Sequence, residues 1–164
     1  MKNILIIIIL CLVATNAFAE DSKPFQLSLV PDVAIHSKDT HIKGVMLNIW
    51  GENPHSGFAL GFVNGSTGDS AGFSWGLVNY AENYSGVEWA WVNVASGHFT
   101  GWQSGIFNYA GKLTGLQWGW INVAKSAQNG LQIGLVNVIK ENQWFTGFPQ
   151  ELAKGMIFVN WRFQ

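Results

Sequence analysis

From about residue 44 to residue 140 bulky and small side chains alternate with period two, and the alternation restarts every 14 or 15 residues. In the segment 116–124 one set is Leu116, Trp118, Trp120, Asn122 and Ala124, and the other is Gln117, Gly119, Ile121 and Val123. The same division holds at 87–95, 102–110 and 131–139. Period-two sorting is the mark of a strand. The residue types agree, because Val, Ile, Trp, Tyr and Phe suit a pleated surface. A helical reading fails, since glycine inside nearly every segment would cost about 1 kcal/mol each. Strands are predicted near 26–34, 43–50, 57–65, 72–80, 86–95, 101–110, 115–124, 130–139 and 155–163, with Pro31 bending the first. Short glycine-containing segments between them, such as 95–101, 110–115 and 124–130, read as hairpin connections.

The restarts are a true internal repeat. Asparagine recurs at Asn48, Asn64, Asn79, Asn93, Asn108, Asn122 and Asn137, spaced 16, 15, 14, 15, 14 and 15. Glycine recurs at Gly57, Gly72, Gly86, Gly101, Gly115 and Gly130 in the same rhythm. Alternation of 14 and 15 gives a unit of 29 residues made of two halves. Residues 88–116 and 117–145 align position by position, Trp89 with Trp118, Trp91 with Trp120 and Asn93 with Asn122.

Both faces of these strands are apolar or small, so the sheet needs cover on each side. The expected fold is all-β, an antiparallel up-and-down meander of eight or nine strands closed as a small β-barrel. A barrel keeps small residues inside and shows bulky ones to lipid, with aromatics as interfacial girdles. The end of the chain, Ile157, Val159, Trp161 and Phe163 at alternate positions, fits a terminal barrel strand. The alternative is a β-solenoid with 29-residue coils. The repeat asparagines Asn64, Asn79, Asn93, Asn108, Asn122 and Asn137 separate the two. In a solenoid they stack into a ladder, and in a barrel each closes a strand before its turn.

The amino terminus adds an address. Lys2, the apolar run 4–13 and the small-x-small site Ala17-Phe18-Ala19 have the form of a secretory signal peptide cleaved after Ala19. That run is too short for a membrane helix, which needs about 20 residues. Residues 20–164 then form a single β-repeat domain, with repeats at about 44–140, and Cys11 leaves with the signal.

The recurring segments Gly105-Ile106-Phe107-Asn108-Tyr109-Ala110 and Gly134-Leu135-Val136-Asn137-Val138, with Leu116-Gln117-Trp118 and Leu131-Gln132-Ile133 ahead of repeat turns, resemble the bacterial surface-repeat proteins. The segment Pro24 to Pro31 is similar to the stretch that precedes such repeats. The resemblance covers roughly residues 24–140. It implies an exported, envelope-associated protein located at the outer membrane or cell surface, and it implies no reaction.

Composition narrows the function classes. Charged residues are 12% and aromatics 14%, which excludes intrinsic disorder. Nine Lys and Arg against ten Asp and Glu exclude a phosphate-tracking surface, so no nucleic-acid partner is expected. His36, His41, His55 and His98 have no metal-ligand spacing, and no cofactor motif or catalytic set is present. Glu88 stands where neighbouring repeats have glutamine, so it reads as a buried acid or as a glutamine position written as Glu. Trp89, Trp91, Trp118 and Trp120 share one strand face. They are read as lipid-facing or packed residues, with stacking on sugar rings as the alternative. The expected protein is not an enzyme but a small outer-membrane barrel with a structural or interaction role. The alternative is a surface-exposed solenoid binding glycans or protein partners through aromatic faces.

Overall fold

The computed structural model describes residues 22–144 and 154–163. The expected signal peptide, its cleavage point and Cys11 lie outside those residues. Every regular element among them is a strand: β1 (Lys23–Val30), β2 (Val33–Ala34), β3 (Ile42–Glu52), β4 (His55–Trp75), β5 (Val78–Trp89), β6 (Val92–Ile139) and β7 (Gly155–Phe163). They form one sheet in the order β2-β1-β3-β4-β5-β6-β7.

Pairing direction decides the architecture. β3 with β4, β4 with β5, and β5 with β6 are all parallel. Asn79 faces Asn64 and Asn93, and Gly86 faces Gly72 and Gly101. A chain whose successive passes run the same way, with like residue on like residue, is a coil. The protein is a β-solenoid, and the antiparallel barrel is corrected. The coil is also half the expected length. Val78 pairs with Val92, 14 positions on, and Val87 with Trp102, 15 positions on. The 29-residue unit is therefore two turns, not one. The segments 95–101, 110–115 and 124–130, expected as hairpin connections, are stretches of β6 that run around the back of the coil. β6 winds for 48 residues without a break.

Both ends of the stack are closed by strands of opposite direction. β2 pairs antiparallel with β1, and β7 pairs antiparallel with the last coil of β6, Gln132 facing Asn160. An uncapped parallel edge would offer its free N–H and C=O groups to another chain. One inward row runs the length of the molecule: Gln26, Met46, Ala59, Ser74, Glu88, Gln103, Gln117, Gln132 and Asn160. At about 4.8 Å per rung this gives a rod about 38 Å long.

The interior is one side chain wide. It holds Ala81, Ala95, Ala110 and Ala124 beside Tyr84, Phe99, Leu113 and Ala127. Indole rings do not fit in so narrow a coil, so the bulky set of the period-two pattern faces out. That set is not one face, as the alternation suggested. Trp118 and Trp120 point outward, whereas Asn122 and Ala124 of the same parity are fully buried. The phase slips at a corner, where Trp120 and Ile121 both point out. One coil earlier the amides of Ile106 and Phe107 both donate to the Trp91 carbonyl, 2.9 Å each, and turn the chain.

Candidate functional site

The repeat asparagines form the ladder that a solenoid requires. Each amide nitrogen donates to the side-chain oxygen of the next, from Asn48 through Asn64, Asn79, Asn93, Asn108 and Asn122 to Asn137, at 2.8–3.0 Å. The same nitrogens bond backbone carbonyls, Asn93 to Ser104 at 2.9 Å and Asn122 to Ile133 at 3.0 Å. The row is buried and its work is to hold corners together. A second ladder runs the other way: Gln132 donates to Gln117, Gln117 to Gln103, and Gln103 to Glu88, at 2.7–2.8 Å. Asn48 Oδ1 and Gln132 Oε1 are buried without a partner. Each is the end of its ladder on the acceptor side; Asn160, which faces Gln132, donates instead to the Asn137 and Lys154 carbonyls.

Glu88 therefore satisfies both readings. It occupies the glutamine row, and burial pushes its carboxyl up to about 7 against the bond from Gln103. His55, which falls between the strands predicted near 43–50 and 57–65, is buried. Its Nδ1 lies 3.1 Å from Ser66 Oγ and its Nε2 3.4 Å from Tyr84 Oη. Burial, the largest cause, lowers its pKa to about 4. Both ring nitrogens are occupied within the core, so the cluster is a closed hydrogen-bond network. Sequence reasoning missed it because the inner row that brings His55, Ser70 and Tyr84 together is a product of coiling.

The two groups tilt stability in opposite senses. Glu88 contributes most below its ordinary 4.5, and that contribution is lost as pH rises through about 7. His55 contributes fully above its ordinary 6.5, and that contribution is lost as pH falls through about 4. Between pH 4.5 and 6.5 the slopes cancel, so the stability of the native protein should be nearly level. Glu88→Gln removes one slope. Its unfolding free energy, measured in urea, should rise by roughly 3 kcal/mol from pH 4 to pH 7, at about 1.4 kcal/mol per decade of proton affinity. A variant as level as the parent would show that Glu88 does not carry the opposing slope.

The outer face is where the candidate aromatics lie. Three parallel rows cover it. One is Phe58, Phe73, Val87, Trp102, Leu116 and Leu131. The middle one is Leu60, Trp75, Trp89, Ser104, Trp118 and Ile133. The third is Phe62, Leu77, Trp91, Ile106, Trp120 and Leu135. Val45, Leu47 and Ile49 continue all three rows on β3. Trp89, Trp91, Trp118 and Trp120 are 54%, 63%, 56% and 64% exposed. They are thus neither core residues nor the girdle of a barrel, and the structure brings all four together. With Ser104, Ile106, Ile133, Leu135 and Phe158 they line an open groove of about 730 Å³. The charged residues Glu82, Lys112, Lys125 and Lys140 belong to the other side of the coil. Apart from the indole N–H groups, Ser104 is the one polar side chain in the three rows.

Among the described residues no group of three or more His, Cys, Asp or Glu is placed to hold a metal ion. No helix among them is long and apolar enough to cross a membrane. Comparison with family models, curated proteins and solved structures gives no match to this chain.

Proposed function

We propose that this is an exported, non-catalytic protein of the bacterial cell envelope that works by docking the apolar face of its solenoid on a protein partner. The observation that carries the reading is the size and chemistry of that face. Seven coils by three rows span on the order of 600 Å², from rung and residue spacings. A water-exposed monomer rarely keeps so large an apolar patch, and patches of this size mark interaction sites. A rigid parallel sheet also loses little freedom on binding.

Chemistry selects among partners. A glycan would stack on the indoles, but its hydroxyls also need hydrogen-bond acceptors, and the only side-chain acceptor in the rows is the Ser104 hydroxyl, the indoles having N–H donors alone. An anionic membrane surface would call for a basic rim, whereas Lys112, Lys125 and Lys140 lie on the opposite side. An apolar protein surface needs neither. Export rests on the amino-terminal segment, and the envelope address on that segment with the repeat resemblance.

Oxidation of tryptophan by N-bromosuccinimide, mapped by mass spectrometry, tests the reading. In intact cells the protein should fractionate with the envelope. There Trp89, Trp91, Trp118 and Trp120 should react at least ten times more slowly than in the dilute purified protein. Equal rates in the two settings, or a cytosolic location, would overturn it.

A further inference from the structure

The middle row of the face is not flat. Along the stack it reads Trp75, Trp89, Ser104, Trp118, Ile133 and then Val159 of β7, which faces Ile133. Tall and short residues therefore alternate unevenly, with a furrow at Ser104 and Ile106 between two indole ridges. The order of heights has a hidden symmetry. Number the rungs outward from the midpoint between Ser104 and Trp118. Reversing the order places Trp118 over Ser104, Trp89 over Ile133, and Trp75 over Val159. The third row obeys the same rule: Trp120 falls over Ile106 and Trp91 over Leu135. In the first row Trp102 falls over Leu116. Every tryptophan of these rows on β4 to β6 thus meets a shorter side chain, and Trp161 of β7, which faces Leu131, falls over Phe73.

Such a reversal is what a two-fold axis lying in the sheet surface and parallel to the strands produces. We infer that the partner docked on this face is a second copy of the same chain, packed face to face and antiparallel, with the axis midway between the Gln103 and Gln117 rungs. This rests on the reading of the face as a protein-docking surface and names its occupant. An isologous pairing needs a self-complementary patch, and this one is complementary in height under that one operation. The other registers fail on the same rows. An axis through the Ser104 rung sets Trp89 over Trp118 and leaves Ser104 facing itself. An axis along the rod sets the middle-row indoles Trp75, Trp89 and Trp118 each on its own copy.

The area agrees. Six overlapping rungs at about 4.8 Å and a width of about 20 Å bury close to 580 Å² per copy, or on the order of 1,100 Å² in all. That clears the ~1,000 Å² expected of a specific interface. No charged group of the coils is trapped between the copies, because the rows carry none. Sheets packed in this way sit about 10 Å apart, which a ridge-into-furrow fit satisfies.

Sedimentation equilibrium of the purified protein tests the inference, with far-UV circular dichroism as the folding control. The native chain should be a dimer at micromolar concentration. Ser104→Trp fills the furrow and sets indole against indole at two symmetric places. Trp118→Ser removes the opposing ridge. Each should weaken dimerisation roughly thirty-fold or more, a hot-spot loss. Combining them swaps ridge and furrow, so the double variant should recover most of the native affinity. A native chain that stays monomeric, or a double variant no tighter than the singles, would overturn the inference. In that case protection of the four tryptophans in intact cells would still hold, and the docking face would belong to a different protein. Loss of that protection as well would sink both readings.

Discussion

Gly101→Ala is expected to unfold the protein or to cost more than about 4 kcal/mol, a loss that only a few mechanisms produce. Gly101 has φ +131°, a region that residues with a side chain rarely adopt. A Cβ there would also penetrate the Gly86 carbonyl oxygen, which is backbone and cannot swing away. The same arrangement repeats at Gly57, Gly72, Gly86 and Gly115, each on the glycine carbonyl of the coil before, and at Gly44 on the Pro24 carbonyl. The strain from one substitution would push neighbouring coils apart. Thr100→Ala, on an exposed neighbour, should stay within about 0.5 kcal/mol of the parent. Chemical denaturation followed by circular dichroism compares the two. A Gly101→Ala protein as stable as Thr100→Ala would mean that the coils do not stack on this row.

The second large effect is expected in the asparagine ladder. Asn108 accepts from Asn93 at 2.9 Å, donates to Asn122 at 2.8 Å, and donates to the Trp118 carbonyl at 3.2 Å. Asn108→Ala deletes all three bonds and leaves Asn122 Oδ1 buried without its donor, while Asn93 Nδ2 keeps the Ser104 carbonyl. At about 1–3 kcal/mol for each unmade bond, softened by relaxation, the loss should be roughly 3–5 kcal/mol. Asn108→Asp is the sharper variant. It keeps the shape and the acceptor but deletes both donated bonds and buries a carboxylate. At pH 8 it should be less stable than Asn108→Ala, and the difference should shrink as the medium is acidified. If Asn108→Asp were instead the milder change, the row would be a packing feature and not a chain of amides.

The pattern of residues along this chain was enough to specify an all-β repeat, its rhythm of 14 and 15, and the rows that align. Those properties are local. Alternation decides that a segment is a strand, and spacing decides which residues of successive passes stand side by side. The candidate tryptophans were legible for the same reason, since Trp89 and Trp118 occupy one position of the repeat. What alternation does not encode is the direction of the neighbouring strand. A barrel and a coil each satisfy the backbone N–H and C=O groups of the same period-two strands, and only the long-range parallel pairing of Asn79 with Asn93 separates them. It also does not encode the corner. Trp120 and Asn122 share a parity, yet one lies outside and the other inside, because the chain turns between them. Which set is buried was settled by the width of the coil. A parallel stack one side chain across admits Ala, Asn, Gln and one larger residue per turn, and it leaves the indoles on the surface. That exclusion places the indoles on an exposed apolar face, and only the three-dimensional closure of the coil could decide it.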